Sequence, residues 1–447
     1  MTSQMVDIHT PGLKWWLTHL ETEFHSTDSV DRYIDVLKRR SIRNPTPAAV
    51  GTAQLCLRLI GSHKFTTIGN LVEYVLNIEA KLSTARPKEM SIRNMVRRVL
   101  GIIREEAENN GQLAMFNAAM EASEAREEAP KTPSSASRPT ILTSHASFAG
   151  TNQAAMTSLF NIFNVHSPQV LSTATTPLHS GVNTPVQHLP PGTSPHITKD
   201  IKPAVMQDIR ELVDELESSD SAIAEFGPQL LPRNEIVMTY GLPPLIHKLL
   251  LKAAHKKDHD FTVVVVEGSP NIMKQTHAAF MNMGSLSDED EEAEEQTAAR
   301  KSLQDRGVQM ILIPDSNIYN FIPRVNKVLL AANYVLADGS VVTTSGALNL
   351  ARAAKAYSKP VVVLAGSHTL CPVTTYNPEN FVEYGPPPTI SSDDDDLLSM
   401  ADFPNPLQDF IKPDFVTMFV TNNGINPKET INRTTLDLYH MTEPDLV

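Results

Sequence analysis

From Glu235 onward the chain repeats one pattern: a short apolar run without polar alternation, a turn, then a stretch with helical spacing. The runs are Glu235 to Tyr240, Phe261 to Glu267, Val308 to Pro314, Lys327 to Asn333, Pro360 to Gly366 and Phe415 to Thr421. Helical stretches sit between most of them, at Pro244 to Lys256, Asn271 to Met283, Ile318 to Val325 and Ser345 to Tyr357. A strand that is apolar on both faces has to be covered on both faces, and strands alternating with helices are joined by crossovers. The pattern therefore predicts a Rossmann-like parallel sheet flanked by helices. Within it, Asp338-Gly339 marks a tight turn.

The N-terminal part follows a different period. From Trp15 to about Met120 the spacing is helical, with Pro and Gly confined to short breaks such as "RNPTPAAVG" (Arg43 to Gly51). In "SIRNMVRRVLGIIREE", Ile92, Met95, Val96, Val99, Leu100 and Ile103 form one apolar stripe, and Ser91 stands at the N-cap position. Arg93, Arg97 and Arg104 fall off that stripe. They have two readings, a grip on phosphates or pairing with acids such as Glu105 and Glu106 on a solvated face.

At 447 residues the chain exceeds what one core usually organises. Three regions are expected: an all-helical domain over 1–127, a Ser/Thr/Pro-rich, largely disordered insertion over 128–199, and a Rossmann-like α/β domain over 200–447 with acidic insertions near 285–297 and 391–398. The insertion holds one apolar island, Ala154 to His166, with the spacing of a short docking helix.

The net charge of -13 argues against general nucleic-acid binding, although much of the excess lies in Ser287 to Glu295 and Asp393 to Asp396. These runs read as solvated loops, because four consecutive Asp cannot all point at one metal ion. Two cysteines, Cys56 and Cys371, supply neither a disulfide framework nor a zinc cluster. Buried thiols in a reducing compartment are expected. No apolar run approaches the ~18 residues of a membrane span and no secretory pattern opens the sequence, so the cytosol is the expected location.

In open parallel sheets ligands bind beyond the carboxyl ends of the strands. Those ends are poor in chemistry here: Tyr240-Gly241-Leu242-Pro243-Pro244, then Glu267-Gly268-Ser269-Pro270, then Asp315-Ser316-Asn317, then Asn333. No GxGxxG follows the first strand and no GxxxxGK[ST] occurs, which removes both phosphate cradles and any nucleotide cofactor. His255 and His259 have the spacing of a metal pair but lack the glutamate of HExxH, and a solvated turn is the plainer reading. A dyad of Glu267 and Asp315 is the best purely chemical candidate; capping and turn roles are the plainer reading of both.

Four segments carry a resemblance: "SIRNMVRRVLGIIREE", "RNEIVMTYG", "RVNKVLLAANYVLADGS" and "FVTNNGINPKETINRTTLDLYH". The chain resembles the regulatory subunits of the guanine-nucleotide exchange factor for eukaryotic translation initiation factor 2. The first segment points to the beta branch rather than alpha or delta. The hexapeptide repeats of the catalytic gamma and epsilon subunits are absent.

The α/β domain is also similar to sugar-phosphate isomerases acting on methylthioribose phosphate or ribose bisphosphate. That similarity aligns their catalytic Cys with Gly241, their catalytic Asp with Asn333, and the Arg of their phosphate-holding Glu-x-Arg-Pro with Ser269. Glycine supplies no thiol, an amide takes up no proton as a carboxylate does, and serine lacks the bidentate charge of arginine.

The resemblance thus implies a non-catalytic subunit without cofactor or metal. It implies direct pairing with a delta subunit, with Asn234, Thr262 and Val264 at the contact. It further implies assembly with alpha, gamma and epsilon subunits into a two-fold decamer. There the subunit positions the alpha subunit of initiation factor 2 and helps to sense its phosphorylation, without membrane or nucleic-acid contacts. Two alternatives stay open at this point: a sugar-phosphate isomerase using Glu267 or Asp315 as base, and an RNA adaptor using Arg97, Arg98 and Arg104.

Overall fold

A computed structural model of the chain describes residues 16–17, 26–40, 42, 44–128, 198–254, 260–267, 298–385 and 404–439. Almost all of these belong to one compact unit, residues 1–124 and 196–447; a second unit takes in 125–195. His255, His259, Ser269, the helix expected over Asn271 to Met283, both acidic runs and the apolar island lie outside the described residues.

Six helices make the N-terminal bundle: α1 (Ser26–Lys38), α2 (Pro45–Ser62), α3 (Ile68–Ala85), α4 (Met90–Asn109), α5 (Leu113–Glu128) and α6 (Thr198–Ala224). Local signals set their ends. Proline occupies the first turn of α2, where its missing N–H is no loss. The Thr67 side chain caps α3 by accepting from the N–H of Asn70 at 3.3 Å.

The stripe read on α4 is buried as predicted. Met95, Val96, Val99, Leu100 and Ile103 pack with Ala53, Cys56 and Ile60 of α2, Val72 and Val75 of α3, and Ile201, Val205, Ile209, Leu212 and Leu216 of α6. Ser91 is not the cap: it lies inside the first turn, buried, and its hydroxyl donates to Glu89 at 2.6 Å. Glu89 stands at the cap position, and its carboxylate is engaged by side chains around it rather than by the helix N–H groups.

The α/β part is built on a seven-stranded sheet in the order β11-β10-β7-β4-β1-β2-β3. Its strands are β1 (Ile236–Tyr240), β2 (Thr262–Glu267), β3 (Gln309–Pro314), β4 (Lys327–Ala331), β7 (Val361–Leu364), β10 (Met418–Thr421) and β11 (Gly424–Pro427). The first six are parallel to their neighbours and each coincides with a predicted run; β11 folds back antiparallel on β10. Winding runs outward from β1 in both directions, so the topological switch point lies between β1 and β4.

One sheet face packs Met238, Val264, Val266, Leu330 and Val363 against α8 (Ala347–Ala356). The other packs Val237, Val263, Val265 and Leu329 against α7 (Pro244–Ala254) and the end of α6. Burial on both faces is the reason the runs lack alternation.

A second, four-stranded sheet was not predicted. It has the order β8-β5-β6-β9, from β5 (Tyr334–Leu336), β6 (Val341–Thr344), β8 (Leu370–Cys371) and β9 (Gln408–Ile411). The Asp338-Gly339 turn joins β5 to β6: Gly339 takes a left-handed φ of 81°, and Asp338 accepts from the N–H of Ser340 at 2.8 Å. A last helix, α9, spans Ile431–Tyr439. Cys56 and Cys371 are both buried and free. Among the described residues no helix is long and apolar enough to cross a membrane.

Candidate functional site: the strand-end crevice

β1 ends at Tyr240 and the chain turns at Gly241, whose N–H donates to Val266 at 2.8 Å and whose φ is 64°. A side chain at that φ is strained, so the position aligned with a catalytic cysteine is held open for a turn. The Tyr240 phenol runs across the switch point onto Gly346. Gly346 has a φ of 98°, and a Cβ there would collide with the tyrosine hydroxyl.

Gly346 is also the N-cap of α8. Anions bind readily at a helix N-terminus, but here the place is taken by the chain itself. Asp409 of β9 accepts from the N–H of Gly346 at 2.8 Å and of Leu348 at 3.0 Å. Burial, with the Asp315 and Asp409 carboxylates nearby, pushes the Tyr240 phenol up to about 12, which keeps it neutral and unsuited to act as a base.

Register brings Glu267 opposite Pro314, the residue before Asp315, so the two carboxylates of the proposed dyad do stand at neighbouring strand ends. Glu267, however, is ion-paired with Arg300, and Asp315 opens a short 3₁₀ turn. Asn333 is half-buried beyond β4, and its N–H donates to Val342 at 2.8 Å as the chain enters the second sheet.

The strand ends of β7 and β10 hold groups that sequence reasoning missed. Glu215 of α6 accepts from Ser367 at 3.0 Å, from Asn422 at 3.3 Å and from Arg98 at 2.8 Å. Burial pushes the Glu215 carboxyl up, but the hydrogen bond and charge of Arg98 and the Ser367 and Asn422 donors outweigh it and hold it below the usual range. Arg98 thus pairs with an acid 117 residues away. Arg93 donates to Ser83 at 3.2 Å.

A second network ties the bundle down further along. Glu383 pairs with Arg40 at 2.9 Å and Arg86 at 3.4 Å, and Arg86 pairs with Glu89 at 3.1 Å. Glu89 in turn accepts from Ser91 and Tyr334. Polar residues following two predicted strands, Ser367-His368-Thr369 and Asn422-Asn423, were the available signal for this joint.

The interface candidates occupy different settings. Asn234 is exposed in a left-handed turn, φ 59°, with its N–H donating to Asp260 at 2.6 Å. Thr262 is half-buried and donates to Gln309 at 3.2 Å. Val264 is 1% exposed, inside the sheet core with Met238, Val266 and Ile313.

Comparison with known proteins agrees with this architecture. Over 427 residues, 94% of this chain and 98% of the relative, the chain is 29% identical to translation initiation factor eIF2B subunit beta of Schizosaccharomyces pombe. Its fold is similar to that of eIF2B beta from Chaetomium thermophilum, with a TM-score of 0.60 at 22% identity, covering 97% of this chain and 98% of that one. It is similar also to a chain of the tetrameric eIF2B-beta2-delta2 complex from C. thermophilum, with a TM-score of 0.61 at 23% identity, covering 96% and 100%. The profile of the Initiation factor 2 subunit family matches residues 42–284 and 293–428, and the chain belongs to that family.

Proposed function

We propose that this chain is a non-catalytic regulatory subunit of the guanine-nucleotide exchange factor for translation initiation factor 2, corresponding to eIF2B subunit beta. The observation that carries the reading is a crevice filled from within. Tyr240 covers Gly346, Asp409 caps α8, Arg300 holds Glu267, and the bundle is bolted to the ends of β7 and β10 through Glu215. Sugar-phosphate isomerisation needs a free base and a phosphate cradle at this edge. Both are engaged by the chain's own groups.

In this role the chain pairs with a delta-type subunit and works in the cytosol alongside alpha, gamma and epsilon subunits. It presents a surface to the alpha subunit of initiation factor 2 whose affinity depends on phosphorylation. An added phosphate biases such a choice by offering charge to one docking surface and repelling another. Asn234 and Thr262 are the surface positions offered for the delta contact, with Val264 supporting them from the core. Co-purification with a delta subunit tests the reading: Asn234→Ala with Thr262→Glu weakens the complex, and unchanged recovery would remove these residues from the interface. A chain that turns over ribose bisphosphate or methylthioribose phosphate would overturn the non-catalytic reading itself.

A further inference from the structure

Beyond β7 the chain does not return to the surface. Residues 366–371, Gly-Ser-His-Thr-Leu-Cys, are all buried and run as a tongue between the sheets and the bundle. Their polar groups are clasped from five sides. Ser367 donates through Oγ to Glu215 of α6 and through its N–H to Asn422 at 2.9 Å. His368 Nε2 lies 3.0 Å from the Thr46 hydroxyl of α2. The His368 carbonyl accepts from Asn94 of α4 at 3.0 Å, and the same amide reaches Cys371 Sγ at 3.2 Å. The carbonyl of Leu370 accepts from Tyr439 of α9 at 2.7 Å.

The imidazole at the centre is folded back on its own backbone. A Cβ on Gly366 would collide with the ring and would lie 2.7 Å from Nδ1 and 3.1 Å from the hydroxyl of Ser219. Nδ1 and that hydroxyl are both buried, and both are without a hydrogen-bond partner among the described residues. The ring is seated for one hydrogen bond, to α2, and is otherwise enclosed.

We infer that residues 366–371 are a releasable latch between bundle and sheet, closed while His368 is neutral and opened by its protonation. An imidazolium needs acceptors at both nitrogens, and the enclosed side offers only the Ser219 hydroxyl. Around the ring, α4 contributes Arg98, and α6 contributes Glu215 and Asp220. Glu215 is engaged by Arg98, Ser367 and Asn422, and Asp220 is paired with Lys248 at 2.9 Å. Both acids are already engaged, and together they offset the burial of a new charge only in part.

Burial, opposed in part by Asp220, brings the histidine down from 6.5 to about 4. A histidine depressed in the closed state favours closure above 6.5, and that contribution is lost progressively as the pH falls towards 4. Between pH 6.5 and pH 4 the opening equilibrium rises roughly 80-fold. Glu215, held low, stays ionised through most of it, and Cys371, pushed up to about 12 by burial, stays a thiol.

The test is hydrogen exchange on the full chain, following peptides across 360–372 together with α2 and α4 at several pH values, corrected for intrinsic exchange. Opening of the tongue rises about sevenfold between pH 6 and pH 5 in the wild type, and is flat over that range in His368→Gln. Thr46→Val raises opening at every pH and keeps the slope. Opening independent of pH in the wild type, or an equal slope in His368→Gln, would overturn the latch. If His368→Gln does not fold, the imidazole resonances of the wild type decide: no titration of His368 above pH 5 supports the closed neutral ring, and titration near 6.5 contradicts it.

Discussion

The hydroxyl of Tyr240 stands where a Cβ at position 346 would have to be, so one tyrosine and one glycine together close the switch point between β1 and β4. The relationship needs both partners: a residue with no side chain at a φ of 98°, and an aromatic ring long enough to cross the crevice. The ring therefore covers the glycine at the N-terminus of α8.

Gly346→Ala is therefore expected to be severe, because backbone strain and steric collision act together. A loss of about 2–4 kcal/mol is expected in urea unfolding. In a Tyr240→Ala background the same substitution costs only the backbone strain, about 1 kcal/mol, since the ring is gone. Equal costs in the two backgrounds would show that the contact carries no energy.

Asp409 caps α8 from a strand in the other sheet, and two N–H groups depend on it. Asp409→Ala lowers stability by about 1–2 kcal/mol, and Asp409→Asn, which keeps an acceptor but loses the charge beside the helix dipole, by less. Chemical denaturation of the three proteins gives the order directly.

The joint at Glu215 has a pH signature. Its carboxyl is held below the ordinary value of 4.5, so the stabilisation is present above 4.5 and is lost as the pH falls through the lower folded-state value. Because the side chain is partly exposed, the ion pair contributes only about 1 kcal/mol. Glu215→Gln lowers the melting temperature at pH 7, and its difference from the wild type shrinks as the pH falls below 4.5, a convergence that calorimetry across that range detects.

Freeing the crevice does not restore chemistry. Arg300→Gln releases Glu267, and Asn333→Asp returns a carboxylate to the position aligned with the isomerase aspartate, yet neither supplies a thiol at the strained Gly241 or clears the α8 N-terminus. Both variants remain without turnover of ribose bisphosphate when product is followed by NMR.

How much of this was legible depended on separation along the chain. The six parallel strands were readable because burial on both faces leaves a continuous apolar run. The second sheet was not, because its strands are two to four residues long, too short to show a period, and Tyr334–Leu336 follows the β4 run with almost no break. Gly241 and Asn333 could be placed beyond β1 and β4 because strand ends can be read off strands. The groups that fill the crevice could not be found by spacing: Asp409 lies 63 residues from Gly346, and Glu215 lies 152 residues from Ser367. Their partners are set by the crossover topology and by α6, which joins the bundle from beyond the insertion.

The central claim, a regulatory subunit built to assemble rather than to catalyse, is tested most directly by solution mass. The chain is expressed alone and together with a delta-type subunit, and each preparation is measured by light scattering. A stable complex with equal numbers of the two chains, better behaved than the chain alone, is the predicted result. A well-folded chain whose mass is indifferent to the delta subunit would contradict the account.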